Sequence, residues 1–343
     1  MILKRFVVMV LLAGLTAACS PRGMISYLPL PAAAGEELVR VFVATNRNSF
    51  KHDDVELVRQ QFGDRRSDVL RFGQIDISIP PIHELGQIEW PRHATPDPQR
   101  HFVTRNGKAY ETQAAFLRDV RAEQGDSKEL LLFVHGFNVN VSESIYRLAQ
   151  LSYDYDSDMP AIAYSWASAG DPRGYVYDRD SVIFSRDGLE EVLTLFANDR
   201  WNIHLVAHSM GSQLVMETLR QMSISGKQRV LKRIETLALI SPDIDEDVFV
   251  QQASRIDPFP KQTVLMVSSK DRALGLSAWL TGKPRRLGSI ADQDLLGDLP
   301  VEVIDLSDIE GGDRTGHATA FTAPVAIRLL RRLQNATLSA VLP

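Results

Sequence analysis

Cysteine is almost absent from this chain: Cys19 is the only one among 343 residues. A lone thiol has no intramolecular partner, so an internal disulfide framework is excluded. Positive charge is also scarce. The chain carries 38 Lys and Arg against 43 Asp and Glu, a formal net charge of −5, and no basic run rises above scattered pairs such as Arg285-Arg286 and Arg331-Arg332. That balance offers no electrostatic basis for binding nucleic acid. Long apolar runs are missing too. Phe6 to Ala18 is apolar or small-residue throughout, but a membrane-spanning helix needs about 20 such residues. No internal repeat is visible, which excludes a solenoid or propeller.

What is present is the composition of a folded core, with 44% hydrophobic and 24% charged residues. The length suits one large α/β domain or two small ones. At the N-terminus, Met1 to Arg5 is a short basic segment ahead of the Phe6 to Ala18 run, which reads as an export signal. The run closes in LTAACS (15–20), where small residues precede Cys19 and resemble a lipobox, with Thr16 in the slot that usually holds leucine. The expectation is cleavage after residue 18 and acylation of Cys19, so that membrane attachment comes from lipid rather than from a helix. Ser20 after Cys19 leans towards the outer membrane in sorting of the enterobacterial type. Residues 19–37, rich in Pro and Ala, then form a tether. One domain is expected over 38–335, with a short tail at 336–343.

Alternating β-branched stretches predict strands at Leu38 to Thr45 and Ile75 to Ile79. Residues 82–108 carry Pro, Gly and His without apolar period and read as a loop, and Thr112 to Arg121 has helical spacing. From Leu130 onward the pattern is regular. Continuous apolar runs at Leu130 to Val134, Ala161 to Tyr164, Ile203 to Ala207, Ile234 to Ile240, Thr263 to Val267 and Val301 to Leu306 suit strands buried on both faces. Amphipathic segments between or after them, such as Ser142 to Leu151, Ser181 to Phe196, Ser212 to Met222, Asp247 to Ser254 and Pro324 to Leu333, suit helices. Strands alternating with helices imply an α/β sheet, and in such sheets ligands bind at the carboxyl ends of the strands.

Three strand ends carry candidate chemistry. LVAHSMGS (205–212) joins a strand to a helix through a turn centred on Ser209. A serine nucleophile on such a turn is usually written Gly-x-Ser-x-Gly. Here Ala207 replaces the first glycine, and one methyl group keeps the steric condition nearly satisfied. His208 is read as a packing residue, since neighbouring side chains leave a turn in different directions. A serine needs a base and the base an orienting acid, in the chain order Ser, Asp or Glu, His. His317 is the only histidine after Ser209, so any such base is His317. Two strand ends offer the acid: Asp271, directly after the Thr263 to Val267 run, is favoured, and Asp243 is the alternative. Asp245 and Asp247 fit helix capping instead. For the oxyanion, HGFNVN (135–140) offers the Phe137 amide, and the Met210 amide at a helix start offers the second donor. Trp166, Tyr175 and Tyr177 lie where an acyl or aromatic pocket is often lined.

In that order these stretches resemble the α/β-hydrolase superfamily. VFVATNR (41–47), LFVHGFN (132–138), YSWASAG (164–170), YVYDRDS (175–181), HLVAHSMGS (204–212) and SPDID (241–245) resemble more closely a bacterial α/β-hydrolase family of unassigned function. The resemblance covers roughly residues 38 to 330. It implies an α/β-hydrolase fold with a mostly parallel central sheet, flanking helices and an N-terminal strand pair. It further implies a Ser-His-Asp hydrolase with neither metal nor organic cofactor, and it implies no substrate. The expectation of a small-molecule or lipid-like acyl ester at the cell envelope comes from the N-terminal export signal alone. A transferase using the same acyl-enzyme, or a catalytically silent envelope scaffold, is the competing expectation.

Overall fold

The computed structural model describes residues 23–29, 36–49, 62–91, 95–124, 128–282, 285–290 and 293–331. The expected signal, Cys19 and the C-terminal tail lie outside them. A nine-stranded sheet runs through the molecule in the order β3-β2-β1-β5-β4-β6-β7-β8-β9. Its strands are β1 Glu37–Ser49, β2 Phe62–Ile79, β3 Val103–Tyr110, β4 Glu129–Val134, β5 Ala161–Ser165, β6 Asn202–His208, β7 Ile234–Ile240, β8 Gln262–Val267 and β9 Glu302–Asp305. From β1 to β9 every neighbouring pair is parallel, while β1–β2 and β2–β3 are antiparallel. The expected N-terminal strand pair is therefore present and carries a third strand. Residues 103–108, at the end of the expected loop, belong to β3, which pairs with β2. The β3 sequence, VTRNGKAY, is too polar to announce a strand, and it is the edge position that tolerates it.

The helices are α1 Gln113–Ala122, α2 Val141–Asp154, α3 Tyr175–Asn198, α4 Met210–Ile224, α5 Gln228–Leu231, α6 Glu246–Ala253, α7 Arg272–Thr281 and α8 Thr319–Thr322, followed by a helical stretch over 324–331. Among the described residues no helix is long and apolar enough to cross a membrane. Local chemistry fixes several starts. Asn140 and Glu143 close a capping box at α2, Asp245 accepts from the Asp247 and Val248 amides at α6, and Asp271 accepts from the Leu274 amide at α7.

The central strands are apolar on both faces because helices cover both. Leu130, Leu132 and Val134 of β4 belong to one core cluster with Leu205, Leu214 and Trp201, while Phe133 belongs to the other with Ile145, Leu148 and Phe321. Burying such a side chain contributes roughly 1.5–3 kcal/mol. The alternation matters for function, because it holds the carboxyl ends of β4, β6, β7 and β8 in one row.

Candidate active site

Ser209 occupies the turn between β6 and α4 with φ 54° and ψ −124°. A non-glycine residue in that region costs on the order of 1–3 kcal/mol and persists only where its surroundings hold it. Here they do: its N–H donates to the Ile240 carbonyl at 2.9 Å, and its own carbonyl accepts from the Asp243 amide at 3.2 Å. A serine at a helix start ordinarily spends its hydroxyl on capping, and this one makes no such bond. The turn is also packed too tightly for side chains around it. A Cβ on Gly211 would lie 2.3 Å from the His135 carbonyl oxygen, and one on Gly136 would lie 2.9 Å from Ser209 Cβ.

His317 stands in the loop after β9. Gly316, at φ 72°, lets that loop press against the backbone at Lys270, and the Arg272 amide donates to the Thr315 carbonyl at 2.8 Å. His317 Nδ1 donates to Asp271 Oδ2 at 2.7 Å. This fixes the tautomer in which Nε2 carries the free lone pair. The other Asp271 oxygen accepts from the Leu274 amide at 2.9 Å, so one buried carboxylate both caps α7 and orients the imidazole.

Asp243 is committed elsewhere. Ser277 Oγ donates to its Oδ1 at 2.6 Å, Tyr175 Oη donates to its Oδ2 at 3.0 Å, and the buried Arg286 guanidinium pairs with it at 3.1 Å. Of the two aspartates weighed from sequence, Asp271 is the one set against His317.

His208 does more than fill space. Its Nε2 donates to the His317 carbonyl at 3.1 Å, and the two rings lie 4.7 Å apart between centroids. Burial, with the neighbouring His317 adding to it, pushes the His208 imidazole down to about 3. It is a fixed neutral donor at neutral pH.

The Phe137 and Met210 amides donate no hydrogen bond to another described residue, and Met210 opens α4 where the helix dipole favours negative charge. The loop carrying Phe137 is held by two residues that sequence reading passed over. Arg47 is buried, and it donates to the Val139 carbonyl at 2.8 Å, the Ser168 carbonyl at 2.8 Å and Ser165 Oγ at 3.1 Å. Burial lowers its guanidinium to about 10. Asp178, also buried, accepts from the Asn138 amide at 3.2 Å, the Ala169 amide at 2.6 Å and Ser168 Oγ at 2.6 Å, and burial raises its carboxyl. Nothing in the sequence sets them apart, since the strand also carries Arg40 and the helix also carries Arg179 and Asp180. Only the fold shows that Arg47 and Asp178 are the buried ones.

Trp166, expected beside a pocket, is fully buried, stacks on His135 and donates to its carbonyl at 2.7 Å. Tyr177 donates to the Asp64 carbonyl beneath Arg66. Tyr175 alone of the three reaches the site region, edge-on to Phe137 at 5.3 Å. A cleft of about 580 Å³ bordered by Glu37, Arg40, Asp154 and Pro160 lies at the opposite, amino ends of β1 and β5 and has no part in this arrangement.

A parallel sheet with a strained serine after one central strand and a bonded Asp-His pair after later ones defines an α/β-hydrolase. The chain belongs to the family described as alpha/beta hydrolase of unknown function (DUF900), whose model matches residues 108–333. No curated protein matches the chain. Solved structures with some likeness include three hydrolases. A CIB-like hydrolase from Thermoplasma acidophilum is 14% identical, with TM-score 0.36, over 61% of this chain and 89% of its own. A fungal esterase from Rhizomucor miehei is 10% identical, with TM-score 0.38, over 89% and 84%. Esterase B from Lactobacillus rhamnosis is 10% identical, with TM-score 0.39, over 74% and 87%. Family and fold together support a hydrolase.

Proposed function

We propose that this chain is a serine hydrolase that cleaves an ester or related acyl bond through an acyl-enzyme. The observation that carries the reading is the 2.7 Å bond from His317 Nδ1 to Asp271, made on the same sheet edge as the strained, uncapping Ser209. In this reading Ser209 Oγ attacks the acyl carbon while its proton passes to His317 Nε2. Asp271 holds the Nδ1–H and stabilises the imidazolium without taking the proton. The carbonyl oxygen gains negative charge and accepts from the Phe137 and Met210 amides, each such donor contributing about 2.7–4 kcal/mol in the transition state. The leaving alcohol takes the proton from His317, and water, deprotonated by the same imidazole, releases the acid. The Ala207 methyl, fully buried beside this turn, stands where glycine is usual.

The sequence before residue 23 supports an envelope location, with export of the chain and acylation of Cys19. Domain limits at 38 and 335 belong to the same proposal.

The test is labelling by a fluorophosphonate probe beside a panel of chromogenic esters. Wild-type protein is expected to be labelled and to turn over esters, and Ser209→Ala and His317→Ala are expected to do neither. A folded wild-type chain that takes no label and hydrolyses no ester sinks the proposal and leaves the scaffold reading.

A further inference from the structure

Helix α7 is apolar on the side that faces solvent. Its inward residues are Leu274, Ser277 and Ala278, whereas Leu276, Trp279 and Leu280 are 58%, 76% and 51% exposed. A surface helix of a globular protein ordinarily presents charged or polar side chains there. The hydroxyl of Tyr175 is 2.7 Å from Ser277 of α7, and the next residue, Val176, is 73% exposed. The helix has no acidic residue, and exposed arginines, Arg272 and Arg285, stand at its start and beyond its end. It springs directly from Asp271, so the patch borders the candidate active site.

The entry point of the chain indicates what covers this patch. Gly23 is held at the first turn of α2, where its N–H donates to Glu143 Oε1 at 3.0 Å and its carbonyl accepts from Asn140 Nδ2 at 3.0 Å. That turn is at the carboxyl end of β4, on the same end of the sheet as α7. Cys19 lies four chain steps before Gly23, a reach of at most about 14 Å, and the apolar run at residues 6–18 precedes it. Either that run or an acyl chain on Cys19 would therefore hold the bilayer against this end of the molecule.

We infer that this face docks on an anionic phospholipid surface. Leu276, Trp279 and Leu280 enter the boundary between headgroups and acyl chains, where an amphipathic indole is favoured, and Arg272 and Arg285 meet lipid phosphates. The contact turns the carboxyl end of the sheet, where Ser209 lies, towards the bilayer. The docking rests on the envelope location of the proposed function and not on its catalytic reading; that it delivers membrane-borne esters to Ser209 rests on both.

The chain has four tryptophans. Trp166 and Trp201 are fully buried and Trp90 is half-buried against Tyr146 and Gly23. Trp279, 76% exposed, is therefore the most accessible of the four, and its replacement by Phe isolates its signal from that of Trp90. Full-length protein is reconstituted into phosphatidylcholine–phosphatidylglycerol vesicles with brominated or plain acyl chains, and tryptophan emission is compared for wild type and Trp279→Phe. Bromination is expected to quench wild type severalfold more than Trp279→Phe, and the quenching to weaken when phosphatidylglycerol is omitted. Equal quenching of the two proteins overturns the inference. So does a wild-type dimer that Trp279→Ser converts to monomer, which would assign the patch to a second copy of the chain. Loss of the catalytic reading would appear in probe labelling and leave the quenching unchanged.

Discussion

Asp271 carries two duties on one carboxylate, and the conservative amide separates them. Asparagine caps a helix about as well as aspartate, so Asp271→Asn keeps the bond to the Leu274 amide and retains the fold. It no longer stabilises the imidazolium or holds the Nδ1–H tautomer of His317. kcat/KM for a reactive ester is expected to fall about 10³–10⁴-fold with little change in the urea midpoint. Asp243→Asn has the inverse signature. It leaves Arg286 buried without its counter-charge, which costs about 3–5 kcal/mol, and the surviving folded fraction keeps its activity. Measuring both variants for midpoint and kcat/KM distinguishes the acid from the structural aspartate. Ser209 and His317 were legible in the sequence because their warrants are local or combinatorial: a strand-turn-helix around one, and no other downstream histidine for the other. The acid was not, since both aspartates follow apolar runs and only the packing of α7 and the Arg286 segment separates them. Arg47 was illegible for the same reason, as its partner Val139 lies 92 residues away.

At the level of elements, α4 approaches β4 so closely that glycine is required at 211, whereas Gly275 on α7 has nothing within 4 Å of an added Cβ. The same substitution therefore has opposite signs at the two positions. Gly211→Ala drives a methyl into the His135 and Val134 carbonyl oxygens and is expected to destabilise by about 1–3 kcal/mol. Gly275→Ala removes backbone freedom from the unfolded chain and is expected to stabilise by about 0.5–1 kcal/mol. Urea unfolding of both checks the pair; a stabilised Gly211→Ala would contradict the described turn. The parallel strands and α2, α4 and α6 were visible as runs and periods. Helix α7 was not, because RALGLSAWLT is apolar on both faces and shows no period. Its outward apolar residues break the usual rule for a surface helix, and they are the residues inferred to meet lipid.

Across the whole molecule, three of the eight histidines make large contributions to how stability varies with pH. Burial pushes both His135 and His208 from 6.5 to about 3. For such a group the unfolded chain binds a proton that the native state refuses. The stabilisation is complete above pH 6.5 and is lost as pH falls towards about 3, by about 1.4 kcal/mol per pH unit for each histidine. His83 has the other sign. Burial opposes its charge, but hydrogen bonds to Asp154 and Glu89 prevail and raise it to about 9. Its contribution is complete below pH 6.5 and is lost as pH rises to about 9. The contributions of these three histidines together are therefore largest near pH 6.5. In urea unfolding across pH 4.5–8.5, His208→Gln is expected to flatten the acidic limb and His83→Gln the basic limb. An unchanged acidic limb in His208→Gln would show that the ring is protonated in the native state.

The central claim is that Ser209 is the nucleophile, and peptide mapping of a fluorophosphonate adduct tests it most directly. The account predicts a single adduct on the peptide containing Ser209, formed by wild type, slowed severely by Asp271→Asn and absent from Ser209→Ala. An adduct on a different residue, or one that Ser209→Ala still forms, would contradict it.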